Sequence, residues 1–398
     1  MYNKPILIYN GTVITSHRKI TNGSVLISEG IIKAVEKGKI SCENALEIDA
    51  KGKYISPGFI DLHIHGGGNC DFMDGSVESY LTIANTHAQY GTTGMYPTTL
   101  SGKWEDFLHS LDQYEKADKA NKKGSQFLGV HVEGPYLAMN QRGAQDPRYI
   151  RNPDPTEYKY AIEKYPFIKR WSIAPELPGA LEFAIFMRQN GVLAAIAHTD
   201  AIYEDMVKAH EAGFDLATHF YSAMSGVTRR NAYRYSGSIE STYLFDAIDV
   251  EIIADGIHLP ESLLKLILKI KGTDRTALIT DAMRAAGMPE GPSILGTKED
   301  GLKVIVEDGV AKLPDRSAFA GSVATADRLI RTMIQKADVS LIDAVKMASL
   351  TPARIMRIDQ QKGSLLPGKD ADIILFDDTI NVSLTMVNGT IVYEKENT

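Results

Sequence analysis

The chain changes its hydrophobic period twice. From residue 4 to 56, short β-branched runs alternate with turns in PILIYNGTVIT, SVLISEGIIKAV and ALEIDAKGKYIS. That is the spacing of small antiparallel strands joined at Asn-Gly and Glu-Gly turns. The C-terminal stretch returns to the same pattern in SLLPGKDADIILFDD and VSLTMVNGTIVYE. Between the two, buried-looking runs alternate with amphipathic helical stretches, the pattern of a parallel α/β fold. The runs are FIDLHIH, TTGMYPTT, QFLGVHVEG, IKRWSIAPE, VLAAIAHT, DLATHFY, VEIIADGIH and TALITDA, and eight strands are what a closed barrel needs. Helices read well between them, as in SVESYLTIANTHAQYG, TDAIYEDMVKAHEAG with Asp200 as its cap, and ESLLKLILKIKG. The pattern therefore predicts an α/β protein: a (β/α)8 TIM-like barrel over residues 58–356, and a small discontinuous β-sandwich domain from residues 1–57 with 357–398.

Composition narrows the function. A chain of 398 residues, 44% hydrophobic, can bury a substantial core. Its formal charge of −7 argues against nucleic acid or an anionic membrane as partner, since both reward a basic face; a small molecule fits better. The N-terminus has no secretory h-region and no run reaches about 18 apolar residues, so a cytoplasmic location is expected. The only cysteines, Cys42 and Cys70, leave no disulfide framework or multi-cysteine zinc site.

Chemistry gathers where the predicted strands end, at His63 and His65, Glu133, Glu176, His198, His219, Asp255 with His258, and Asp281. In a (β/α)8 barrel such ends converge on one mouth. His63 and His65, two apart on a strand, point to the same side, and Gly66, Gly67 and Gly68 let the following loop turn away. Two histidines in an apolar strand can equally be hydrogen-bonded core residues. The histidines of AAIAHTD and LATHFYS and the carboxylate of HVEGPY turn the pattern towards a metal site. Histidine with carboxylate suits zinc first, with iron or manganese as alternatives, and not calcium or magnesium. Asp281, in LITDAM, reads either as a turn or cap residue or as a general base for water at the metal. His131, two residues before Glu133, reads as a support for the site or as a packed strand histidine.

SPGFIDLHIHG, HVEGPY, AHTDA, THFYSAMS, ADGIH, ITDAMRAAG and FAGS, in this order, resemble the amidohydrolase superfamily, most closely the N-acetylglucosamine-6-phosphate deacetylases. The similarity runs almost the whole chain. It implies one divalent metal on Glu133, His198 and His219, with His63 and His65 able to hold a second. It implies Asp281 as general base and then acid in hydrolysis of an acetamide, with acetate and an amino sugar phosphate as products. Substrate contacts carried over by matched spacing are Ala144 and Gln145, Ser222, Ala223 and Arg230, His258, and Ala320 with Gly321; Gln145 reads alternatively as a loop residue and Arg230 as a surface charge. A homodimer is implied by the resemblance alone. The chain departs from the family at Ser222, where asparagine is usual, and in the loop SAMSGVTRRNAYRYSGS, which leaves the N-acetylgalactosamine 6-phosphate epimer open. Other amide hydrolases of the superfamily, deaminases, and a non-catalytic barrel scaffold are the remaining readings.

Overall fold

Eight parallel strands surround the inner core in the computed structural model, which describes residues 4–396; the outermost residues of the predicted terminal domain, 1–3 and 397–398, lie outside the described residues. The strands are β1 (Phe59–Ile64), β2 (Thr92–Pro97), β3 (Val130–Glu133), β4 (Ile168–Ile173), β5 (Leu193–Ile196), β6 (Phe214–Ala217), β7 (Asp249–Ile253) and β8 (Thr276–Ile279). Each coincides with one of the eight predicted runs, β6 and β7 starting one residue earlier than predicted. Parallel ladders link β1 to β2, and β3 through β8 in order. Isolated parallel bridges span the two seams, Thr98 with His131 and Ile64 with Ala282, giving a barrel of the TIM type. The strands read as near-continuous apolar runs because both faces are covered: every residue of β1, β2, β3, β7 and β8 is buried. Alternate residues turn inward, and Ile60, Leu62, Tyr96, Leu216, Ile253 and Ile279 form an apolar floor inside the ring.

The connecting helices are amphipathic and cover the outside: α1 (Val77–Ala88), α2 (Trp104–Ala120), α3 (Pro155–Lys164), α4 (Ala180–Gln189), α5 (Tyr203–Ala212), α6 (Ser238–Leu244), α7 (Glu261–Lys271), α8 (Ala326–Ala337), α9 (Leu341–Ala348) and α10 (Leu350–Ile355). Asp200 does not cap α5. That helix begins at Tyr203, and Asp205 Oδ2 accepts the Ile202 N–H at 3.2 Å. Asp200 accepts the side-chain amides of Asn140 and Gln141 instead, because it lies three residues before the first helical turn. No helix of the described residues is long and apolar enough to cross a membrane.

Strands from both ends of the chain share one eight-stranded sheet. Tyr54–Pro57 pairs antiparallel with Ile373–Phe376, which joins the N-terminal strands to the C-terminal ones. This sheet has its own apolar cluster, including Ile8, Val25, Ile55, Ile373 and Met386. The longest interruption of the strand–helix alternation comes after β8. There Gly291–Leu295, Leu302–Glu307, Val310–Lys312 and Phe319–Ser322 form a four-stranded antiparallel sheet that overhangs the mouth with Leu295, Phe319 and Gly321.

Candidate metal centre

The strand alternation brings His63 and His65 of the first strand end beside Glu133, the last residue of β3, and beside His198, His219 and Asp281 just beyond β5, β6 and β8. Their imidazole Nε2 atoms converge. His63 and His65 stand 3.1 Å apart, and His198 and His219 3.2 Å apart. Glu133 lies between the pairs: Oε1 is 2.9 Å from His219, 3.3 Å from His198 and 3.5 Å from His63, and Oε2 is 3.4 Å from His65. Asp281 Oδ1 lies 3.4 Å from His63 and 3.2 Å from His65. Among the described residues, His63, His65 and Glu133 form one group able to hold a metal ion, and Glu133, His198 and His219 a second.

This donor set fits a divalent cation. Two imidazole nitrogens facing each other at about 3 Å share one proton at most, so each pair leaves a lone pair directed at its neighbour. His65 Nδ1 points at the Thr98 carbonyl, 3.2 Å away, and His198 Nδ1 at the Gln141 carbonyl, 2.8 Å away. Those anchors direct each Nε2 inward, the usual arrangement of a metal-binding histidine. The electrostatics agree. Burial disfavours the charged form of His65, yet the Asp281 and Glu133 carboxylates outweigh it and raise its pKa to about 10. Burial pushes His63 down. Burial also opposes ionisation of Glu133, but His63 and the hydrogen bonds from His198 and His219 hold it well below the carboxylate range. Asp281, likewise buried, is held down by His63 and His65. Charge balance in this cluster rests on imidazole protons, which a divalent cation would displace.

Surrounding residues fix the donors. Gln145 Nε2 donates to Glu133 Oε2 at 2.7 Å, and Gln145 Oε1 accepts the Ser101 N–H at 2.9 Å. His131 bonds Thr98 Oγ1 and Ser172 Oγ at 3.2 and 2.7 Å, and its ring lies edge-on to that of His63, 4.6 Å between centroids. Asp255 Oδ2 accepts from His258 Nδ1 at 2.7 Å, which leaves the other ring nitrogen of His258 free of this bond.

A cavity of about 200 Å³ opens over the cluster. Of the sequence-predicted substrate residues, Ala144, Gln145, Ser222, Ala223, His258 and Gly321 line it, and Phe319 packs on the His258 ring at 4.6 Å. Ala320 is fully buried in the overhanging sheet and points away from the cavity lining. Arg230 sits on an exposed hairpin, Thr228–Arg230 against Tyr233–Tyr235, with its guanidinium 5.4 Å from the Tyr235 ring centroid. Glu176, at a strand end by pattern, stands apart from the cluster and accepts from Thr199 Oγ1 and the Asp200 N–H. Sequence reasoning did not single out Ser101, Thr98 or Ser172, which hold the donors' partners. Their hydroxyl and backbone groups carry no spacing signal.

Four imidazoles and two carboxylates at the mouth of a TIM-type barrel define a class of metal-site hydrolase folds, and the chain belongs to one of them, the amidohydrolase family, whose model matches residues 54–392. Over its full length it is similar to N-acetylglucosamine-6-phosphate deacetylases. That of Lysinibacillus sphaericus is 32% identical over 398 residues, with 100% of both chains covered. An N-acetylgalactosamine-6-phosphate deacetylase of Escherichia coli O157:H7 is 30% identical, with 95% of this chain and 96% of the relative covered. Among solved structures, the N-acetylglucosamine-6-phosphate deacetylase of Pasteurella multocida has a TM-score of 0.91 at 26% identity, covering 98% of this chain and 100% of that one.

Proposed function

We propose that the protein is a metal-dependent deacetylase that hydrolyses the acetamide of N-acetylglucosamine 6-phosphate to glucosamine 6-phosphate and acetate. The observation that carries this reading is the convergence of Glu133, His198 and His219 on one point, with Asp281 3.2–3.4 Å from the two histidines alongside. Glu133, His198 and His219 would hold one divalent cation, and His63 and His65, sharing Glu133, a second. Zinc suits these donors first, and iron and manganese accept the same set. A cation bound there supplies Lewis acidity for the amide carbonyl and lowers the pKa of water.

The chain's own residues do the rest. Asp281, held ionised by its histidine neighbours, accepts the proton of the attacking water at Oδ1 and returns it to the leaving nitrogen. Gln145 fixes the Glu133 carboxylate through Oε2. His258, oriented by Asp255, Ser222 and Ala223 receive the sugar beneath the overhanging sheet, where Gly321 closes over it. No covalent acyl intermediate is needed. Arg230 is the proposed phosphate partner. Its position on a projecting hairpin is compatible with a homodimer in which the loop reaches a neighbouring mouth, for which the support is family resemblance. The same reading divides the chain into a catalytic barrel, 58–356, and a small β domain, proposed as a sandwich, from 1–57 with 357–398; its assembly from both ends is supported by the ladder between Tyr54–Pro57 and Ile373–Phe376 and by the separate apolar cluster.

A second reading, N-acetylgalactosamine 6-phosphate as substrate, is left open by the departure at Ser222 and favoured by the similarity to the Escherichia coli relative. The test is acetate release from N-acetylglucosamine and N-acetylgalactosamine, each with and without 6-phosphate, on enzyme reconstituted with zinc, iron or manganese. Preferred turnover of the phosphorylated glucosamine derivative is expected. Equal turnover of neutral sugars removes phosphate from the account, and a protein that binds no metal and releases no acetate is the scaffold.

A further inference from the structure

At the other end of the barrel, away from the metal ligands, lies a cavity of about 280 Å³, roomier than the mouth. It opens where β4, β5 and β6 begin and where the chain leaves α10. One side of it is apolar, formed by Leu128, Leu193, Ile355, Met356 and Ile358, residues that continue the barrel floor.

Two independent features of this cavity point to a ligand. The first is charge. Lys169, Arg188 and Arg357 all line it, and none of the three pairs with a carboxylate among the described residues. Lys169 Nζ donates to the Pro166 carbonyl at 2.8 Å, and neither guanidinium has a hydrogen-bond acceptor among those residues. The single acid of the lining, Asp215, lies 3.7 Å from His210 Nδ1 and also feels the charges of Arg357 and Arg188, which leaves the rim with a net positive charge. The second feature is Tyr96. It is 1% exposed, it lines the cavity floor, and its hydroxyl has no hydrogen-bond partner among the described residues. The hydroxyl is not sealed off from this space, so a polar group of a ligand can reach it from the cavity. Water would satisfy the hydroxyl. The rim adds a second preference: three exposed cations against one acid, on a chain of net charge −7, favour an anionic group there.

We infer that this cavity binds a small organic phosphate monoester. A phosphate monoester carries close to two negative charges at neutral pH, and guanidinium groups make paired bonds to its oxygens. Arg188, Arg357 and Lys169 hold the phosphate at the rim, and the ester's apolar body lies on the leucine, isoleucine and methionine wall with Tyr96 donating to an oxygen within. The wall offers no set of polar groups to match the hydroxyls of a sugar, so the ligand differs from the substrate of the mouth.

The test is isothermal titration of the metal-loaded enzyme with phenyl phosphate, with inorganic phosphate and phenol as comparison probes. Saturable binding of phenyl phosphate is expected, tighter than either comparison probe. The variant carrying Arg188→Ala and Arg357→Ala, both at exposed positions, should weaken it by roughly tenfold or more. Tyr96→Phe should weaken it several-fold, and Arg230→Ala should leave it unchanged. The inference is overturned by absence of saturable binding, or by binding that survives the double substitution and is lost in Arg230→Ala, which would place the ester at the mouth. Circular dichroism melts of each variant confirm that the fold is retained.

Discussion

Asp281 has a backbone φ of 46°, as has His198, and His219 has 32°. Left-handed backbone is uncommon for residues other than glycine and costs on the order of 1 kcal/mol or more. Hydrogen bonds on both sides hold these turns: the Asp281 N–H donates to the His63 carbonyl at 2.9 Å, the Ser322 N–H to the Asp281 carbonyl at 2.7 Å, and the Ala138 N–H to the His198 carbonyl at 2.9 Å. Strand pairing alone would carry the chain straight on, and the reversal leaves each side chain facing the cluster. Asparagine tolerates this backbone region nearly as well as aspartate, so Asp281→Asn separates chemistry from folding. Turnover should fall by roughly 10²–10⁴ while metal content, read by elemental analysis, stays that of the parent. Gln145→Ala tests the opposite dependence. Without the amide on Oε2, Glu133 is free to rotate, and metal affinity measured by competition with a chelator should drop by about 10–100-fold, with Gln145→Asn failing to restore it because the shorter arm cannot span from Ser101 to Glu133. The metal donors were legible because strand alternation forces residues two apart to one side. Gln145 entered only as a substrate contact implied by the resemblance, and its bond to Glu133 was not legible because a loop twelve residues on has no periodicity to aim it.

The element that follows β1 is a two-residue hairpin, Gly66–Gly67 against Cys70–Asp71, followed by a single 3-10 turn at Phe72–Asp74. The glycines serve close approach more than an open turn. A Cβ on Gly66 would stand 2.3 Å from the Cys70 carbonyl and 2.9 Å from the Arg284 amide, and one on Gly67 2.5 Å from His87 Nε2. Gly68 alone takes the left-handed conformation, at φ 59°. From α1, His87 Nε2 donates to the Gly66 carbonyl at 2.9 Å, and burial pushes the His87 pKa down to about 4. A folded-state pKa below the unfolded value near 6.5 means that the unfolded chain binds more protons between those limits. The stabilising effect of neutral His87 is therefore complete above about pH 6.5 and is lost as pH falls through about 4, a loss on the order of 3 kcal/mol. In thermal unfolding across pH 7 to 4, His87→Gln should show a flatter acid limb than the parent. Equal slopes would show that this histidine is not what titrates. The sequence marked α1 and the histidine pair, but nothing in the spacing related His87 to Gly66, since that contact crosses from a helix to a hairpin.

The whole barrel turns on contacts that no local pattern carries. The strand runs were readable because burial on both faces leaves them almost wholly apolar, whereas the overhanging sheet over 291–322 has short runs and turns that mimic the terminal domain. Two charges do stand out inside those runs, Arg170 in β4 and Glu251 in β7, both fully buried. Only the closed ring brings them together. Arg170 bonds both Glu251 oxygens, Nη2 to Oε2 at 2.6 Å, and also reaches Thr218 Oγ1 at 2.7 Å and the Leu62 carbonyl at 3.2 Å. It thereby ties β4 to β7, to the end of β6, and across the seam to β1, beneath the cluster. Through Thr218 and Ser172, 2.9 Å apart, the network continues to His131. Removing one charge of a buried pair leaves the other uncompensated, at a cost of about 3–5 kcal/mol, while replacing both with apolar side chains of similar volume is close to neutral. Glu251→Gln should accordingly lower the urea midpoint steeply, and Arg170→Met combined with Glu251→Leu should recover most of that loss. The Thr218 and Leu62 contacts go with the arginine, so full recovery is not expected. A double substitution as unstable as the sum of the two single ones would mean that the arginine's bonds to the other strands, and not its pairing with Glu251, hold this ring together.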